Sequence, residues 1–377
     1  MILEQPPVWF ILIAFVCAIG PLIVIHELGH YWVGRWFGVG ADTFSIGFGR
    51  EVFGWTDKRG TRWKVGWLPL GGYVKFVGDE DATSTTTTSA ELSAEDRARS
   101  LHQKPVWQRF LVVLAGPLSN FILAILIFAA FFSTLGVPRT GNNVVALQPG
   151  GAAEAAGVRP GDRIVSIAGR DTPTFEDITK VVVIRPLEPV TIVVERGGRQ
   201  VELPAVIGAT EQVDRFGQHF RIGRIGVFGG ERRYVRPSAT ELLPAATLYT
   251  LNTTRGMVDF LWQVMSGRRS LKDLGGPVKI AQMAGQQASL GLPDFILLVA
   301  LLSINLGFMN LLPVPMLDGG HLLFYAVEAV RRRPLSAATL DWAFRGGLAL
   351  IFALLLFVTI NDLGSLGLWN QLQRLIG

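Results

Sequence analysis

The chain is short of cysteine, of charge, and of basic residues at its start. One of its 377 residues is cysteine, so it can form neither an internal disulfide framework nor a cysteine-rich zinc site. Cys17 lies in an apolar run and reads as packing. Charged residues make up 17%, against about 25% in soluble proteins. Hydrophobic residues make up 49%, and the mean hydropathy is +0.37. That balance excludes an ordinary soluble domain and points to a membrane protein. The net charge of +5 comes with no nucleic-acid signature. No Lys or Arg precedes Val8, and no small-residue cleavage site follows the first apolar run. That run is therefore expected to be retained, not removed as a signal peptide.

What the chain does have is four long apolar runs, near Val8–Ile25, Phe110–Leu135, Asp294–Leu317 and Trp342–Ile360. Each is close to the ~20 residues that a bilayer-spanning helix needs. Lys and Arg are concentrated between the first two runs, from Arg35 to Arg109, and again at Arg331–Arg333. Basic connections stay in the cytoplasm. Both termini, and the long segment between runs two and three, are then expected on the periplasmic side.

The first run ends in His26-Glu27-Leu28-Gly29-His30. On a helix, positions i and i+4 share a face, so both histidines can ligate one metal. Glu27, beside the first ligand, is placed to act as general base. Ionisable residues at membrane depth are costly, which makes them functional candidates. The deduced topology makes runs one and three parallel, so Asp318 falls at the same depth as the histidines. Asn120, near the start of run two, returns to that level. Gly116-Pro117-Leu118-Ser119-Asn120 reads either as a small-residue packing motif or as part of a site, because Asn120 needs a polar partner. Pro313 and Pro315 break run three, and irregular backbone at membrane depth is tolerated only where it is buried in protein or lines a cavity. Asp318 is a candidate third ligand, leaving the fourth position for water, and His321 is its competitor.

HELGH in the first run, GPLSN in the second and NLLPVPMLDGG in the third resemble the site-2 metalloproteases, intramembrane zinc peptidases of the bacterial regulator-of-sigma-E type. The resemblance covers nearly the whole chain. It implies one Zn2+ held by His26, His30 and Asp318, with Glu27 as base, and it places Asn120, Asn305 and Asn310 near the substrate or transition state, the last two as the stronger candidates for substrate contact, together with Pro313 and Pro315. It also implies a membrane-associated β-hairpin around Gly71-Gly72-Tyr73, pairing with unwound substrate. The residues themselves read as two strands, Trp63–Leu70 and Gly71–Phe76, about a turn. The implied partners are the lipid bilayer and single-span membrane proteins, such as an anti-sigma factor already trimmed by another protease, or remnant signal peptides. The implied location is the bacterial inner membrane, with the active site near the cytoplasmic face.

Pro149–Gly169 contains a short glycine-closed helix, a turn and an alternating strand, and it resembles a bacterial PDZ domain. A second helix is expected over Phe175–Arg185, with closing strands at Val190–Glu195 and Val201–Val206. Such a domain either binds extended chains at a sheet edge or filters substrates by size. Thr83–Ser89 reads as a connector and Glu91–Arg99 as a short surface helix. Ala239–Met265 and the segment from Gly275 read as amphipathic helices, lying on the outer membrane surface or packed on the PDZ domain.

The expected fold is thus an α-helical multi-pass membrane protein with one inserted periplasmic α+β PDZ domain. Its boundaries are 1–35 for the first helix, 36–109 for hairpin and connector, and 110–136 for the second helix. The PDZ domain spans 137–208, the amphipathic region 209–293, and the last two helices 294–320 and 342–362. Two rival readings are an inactive scaffold, which would have no need to keep HELGH and Asp318, and a metal transporter, whose ligands would be spread across the bilayer.

Overall fold

The computed structural model describes residues 6–79, 93–213, 219–230, 232–267 and 275–365. The expected Thr83–Ser89 connector lies outside the described residues. In chain order, α1 (Val8–Trp36) leads to β1 (Ala41–Thr56), β2 (Arg62–Phe76), the short α2 (Ala94–Arg99) and α3 (Val106–Thr134). Next come β3 (Val137–Thr140), β4 (Ala146–Leu147), α4 (Ala152–Ala155), β5 (Arg163–Ile167), β6 (Arg170–Asp171) and α5 (Phe175–Val183). Six strands follow: β7 (Pro189–Arg196), β8 (Arg199–Val206), β9 (Gly208–Val213), β10 (His219–Arg224), β11 (Val227–Phe228) and β12 (Arg232–Val235). The chain closes with α6 (Ala239–Met265), α7 (Pro277–Leu290), α8 (Leu292–Asn310), α9 (Asp318–Arg331) and α10 (Ala337–Ser365). It divides into two compact units, Met1–Phe128 with Gly275–Asp362, and Ala129–Leu274 with Leu363–Gly377.

The first unit holds most of the helices α1, α3, α8 and α10, the four among the described residues that are long and apolar enough to cross a membrane. Small residues set their spacing. Gly29 of α1 lies against the Ala115 carbonyl of α3, where a Cβ would collide with backbone. Ser119 Oγ crosses the same contact to donate to Ile25 O at 2.8 Å. Ala14 and Ala18 of α1 pack with Ala284 of α7 and Leu298 of α8, and Gly285 is backed by Ile11.

The segment after Gly275 thus packs on two membrane-length helices, α1 and α8. The Ala and Gly face of α7 permits that approach. The α10 residue Asp362 caps α7 by accepting from Gly276 N at 3.2 Å and Lys279 N at 3.1 Å, which satisfies amides that a helix start leaves open.

Helix α8 stops at Asn310, short of the expected Leu317. Pro313 and Pro315 carry the chain through turns, and a new helix opens at Asp318. Nineteen residues still span about 29 Å at 1.5 Å each, close to a hydrocarbon core. The expected short connection before the last run contains α9, and α10 begins at Ala337 instead of Trp342.

The expected hairpin is also corrected. Residues 62–76 form one strand, β2, whose partner is β1. Ser45 faces both Lys64 and Tyr73 in the ladder, so β2 folds around both edges of β1. Gly71 permits the bend at φ 99°, with the Phe48 ring against it. Two glycines that read as a turn therefore serve as a kink within one strand.

In the second unit an antiparallel sheet of order β6-β5-β7-β8 packs on α5. Ile164, Ile167, Ile192 and Val194 turn inward, with a register shift in β5 between Ile164 and Ser166, and share a core with Ile178 and Val182. Thr174 caps α5 by accepting from Asp177 N at 3.3 Å. Asn142 Nδ2 donates to Ile164 O and Thr172 O at 2.8 and 2.9 Å, closing the sheet's start. Asp259 of α6 pairs with Arg170 and Arg185, which ties that helix to the strands.

Candidate active site

Helix α1 carries His26 and His30 one turn apart, and α9 supplies Asp318 from its first position. Their ligand atoms converge. His26 Nε2 and His30 Nε2 are 3.2 Å apart, and Asp318 Oδ2 lies 3.0 Å from the first and 3.5 Å from the second. Among the described residues no other group of His, Cys, Asp and Glu converges in this way. Ligand atoms around a tetrahedral ion with bonds of about 2.0 Å stand ~3.3 Å apart, so the triangle has the size that zinc requires. Asp318 Oδ2 is buried yet makes no hydrogen bond of ordinary geometry. An orphaned carboxylate oxygen facing two imidazole nitrogens is a donor set that could hold a metal ion.

Helix α3 orients both histidines from behind. His30 Nδ1 faces Val112 O at 2.9 Å. A carbonyl only accepts, so Nδ1 carries the proton and Nε2 presents its lone pair to the triangle. His26 Nδ1 faces the Asn120 amide at 3.1 Å. Gly116 leaves the space that the His30 ring occupies, since a Cβ there would overlap His30 Nε2. Glu27 sits beside the triangle and accepts from Val74 N of β2 at 3.1 Å, which brings the strand to the site.

A cleft of 300 Å³ contains these groups, with Gly72, Tyr73, Asn310 and Met316 also in its wall. The other sequence candidates stand elsewhere. Asn120 is fully buried behind His26, and Asn305 is half-buried along α8. Pro313 is exposed, Pro315 packs against Gly320 and Gly347, and Gly71 lies under Phe48. His321 is not part of the triangle, and its ring lies 5.3 Å from that of Phe344. Burial pushes its pKa below the usual histidine value, which suits a neutral wall residue.

Sequence reasoning missed Phe48, Asp79, His102 and Tyr325, which also line the cleft. His102 Nε2 meets Asp79 Oδ1 at 3.1 Å. The two are 23 positions apart and share no local spacing that could have announced the pair.

The sequence model described as peptidase family M50 matches residues 14–354. A protein of Agrobacterium fabrum, described as a candidate zinc metalloprotease, is 45% identical over 361 residues, covering 94% of this chain and 96% of that one. Metalloprotease MmpA of Caulobacter vibrioides is 38% identical over 380 residues, covering 93% and 95%. A solved PDZ domain of an SdrC-like protein from Listeria monocytogenes is 19% identical, with a TM-score of 0.20, over 25% of this chain and 93% of its own.

Proposed function

This chain belongs to peptidase family M50, and from that premise we propose that it is a zinc-dependent intramembrane endopeptidase acting on single-span membrane proteins. The observation that carries the proposal is the triangle of His26, His30 and Asp318 beside Glu27, at the end of a membrane-length helix. Two relatives whose names describe metalloproteases support the metal and the reaction class.

His26, His30 and Asp318 would hold the zinc, one ion per chain. When bound, it supplies Lewis acidity toward the scissile carbonyl and the attacking water. Glu27 takes the proton of that water and returns it to the departing amine. Its hydrogen bond from Val74 N aims the carboxylate and places β2 alongside. A helical peptide bond is hydrogen-bonded and shielded, so substrate has to unwind before attack. The stretch Gly72–Val74, in the cleft wall, can hold an extended segment by adding it as a strand. Asn310, in the same wall, is positioned to donate to a substrate carbonyl.

The setting we propose is a bacterial inner membrane, with the site toward the cytoplasm and both termini and the second unit in the periplasm. In that arrangement the PDZ-like sheet meets substrates before the cleft does and passes those whose exposed domain is already removed. An anti-sigma factor after a first cleavage, and remnant signal peptides, are of that class.

Glu27→Gln tests the reading. The purified variant is expected to keep stoichiometric zinc and to lose cleavage of a transmembrane substrate by about 10²–10⁴-fold. Cleavage at the wild-type rate would remove Glu27 from the mechanism. A wild-type protein without zinc would remove the metal.

A further inference from the structure

Asn120 carries more chemistry than a place near substrate explains. Its side chain is fully buried, with relative exposure of 0%, and it does not line the cleft. Its backbone is fixed by Ser303 of α8, whose Oγ donates to Asn120 O at 2.7 Å. One end of its amide faces His26 Nδ1 at 3.1 Å, and the other end, Oδ1, is buried without a partner. Since only one end is engaged, neighbouring groups do not decide which atom should face the imidazole. The tautomer of His26 decides it.

With Nδ2 toward His26, the amide donates and Nδ1 must be bare. The imidazole proton then sits on Nε2 and points into the triangle with His30 Nε2 and Asp318 Oδ2. A metal needs the Nε2 lone pair at that place, so it cannot bind to this tautomer. A half-turn of the amide exchanges its oxygen and nitrogen at almost no change in shape. Oδ1 then accepts from Nδ1–H, and Nε2 is freed for the metal. His30 has the same arrangement with a backbone acceptor, Val112 O.

We propose that Asn120 is the positioning residue of His26, its Oδ1 holding the Nδ1 proton so that Nε2 faces the metal, and that it makes no contact with substrate. This rests on the zinc reading of His26, His30 and Asp318 given above. The two ligand histidines thereby take their orientation from one helix, α3, through a backbone carbonyl at Val112 and a side-chain amide at Asn120. Outer partners of metal-bound histidines fix ring orientation and raise ligand basicity, and their loss costs about 10–100-fold in metal affinity.

The test is the zinc affinity of the full-length protein in detergent, measured by competition with a chromogenic chelator. Asn120→Ala and Asn120→Leu, which have no acceptor, are expected to bind zinc about 10–100-fold more weakly. Asn120→Asp keeps both shape and acceptor and is expected to match or exceed wild type, with an unchanged KM for a transmembrane substrate. Equal losses in the Asp, Ala and Leu variants would assign Asn120 to packing and overturn the proposal. Undiminished affinity in the Ala variant would also overturn it, as would a raised KM in the Asp variant with zinc retained. A wild-type protein that binds no zinc would instead sink the metal reading on which this rests.

Discussion

The cores of the two units are built differently: the sheet core of the second is apolar, whereas the helices of the first bury polar groups among apolar and small residues. In the second, Ile164, Ile192 and Val194 are fully inside. In the first, large apolar side chains face outward, with Trp342 at 76% and Phe352 at 64% exposure, while His26, Asn120 and Ser303 are buried. The sheet unit follows the rule for water, where apolar burial drives association. The helical unit follows the rule for lipid, where apolar surface gains nothing by turning inward. There, helices associate through small residues and polar contacts. The same inversion explains where the chemistry sits. A lipid-facing exterior leaves the interior free for polar groups, and a buried polar cluster with converging donors is a site.

The sharpest way to break this contrast is at Gly116. A Cβ there overlaps His30 Nε2, and the ring is already held by Val112 O, so it cannot retreat without leaving the triangle. Gly116→Ala is expected to reduce zinc affinity at least as much as loss of an outer partner, about 10–100-fold, and turnover with it. Metal analysis and single-turnover cleavage would check this. Normal zinc with normal cleavage would show that α1 and α3 can separate cheaply, against the small-residue account of their packing.

The opposite kind of lesion belongs in the second unit. Ile192 is fully buried between the sheet and α5, so Ile192→Ala is expected to cost about 2–5 kcal/mol of local stability. Hydrogen exchange should report it as lost protection in β5 and β7, with zinc content unchanged. Loss of zinc in this variant would mean that the two units do not keep separate accounts.

How far the sequence anticipates the structure follows the same division. The four apolar runs are legible because length alone marks them, and HELGH is legible because a helix fixes the i, i+4 relation. The strands at Val190–Glu195 and Val201–Val206 show in their alternation. Less was legible where tertiary partners decide. Gly71-Gly72 looks like a turn, but β1 on both sides makes it a kink. The segment after Gly275 shows no partner in its own spacing, whereas Asp362 and the small face of α7 hold it against α1 and α8. Asn120 announces only that it needs a partner, and the identity of that partner, His26, is 94 positions away.

The smallest expected effect separates two aspartates. Asp318 faces two imidazoles in the candidate site. Asp162, in the second unit, is held by Arg196, whose Nε and Nη2 donate to its two oxygens at 2.8 and 2.7 Å, and by Arg159 N at 2.8 Å. The Arg196 guanidinium brings the Asp162 carboxyl below its usual range, so its role is structural and pH-dependent. A depressed folded pKa means that the folded state favours the charged form. The stabilisation is full above the ordinary aspartate value of about 3.9 and drains away as the pH falls through the folded value. In wild type, amide protection of β5 and β7, corrected for intrinsic exchange, should therefore decline as the pH falls below about 3.9. Asp162→Asn cannot titrate, so it should show lower protection at pH 5 and a flatter slope, the two proteins converging in acid. Parallel slopes would mean that Asp162 is not the group through which acid loosens this unit, and its pairing with Arg196 would then be geometry without linkage.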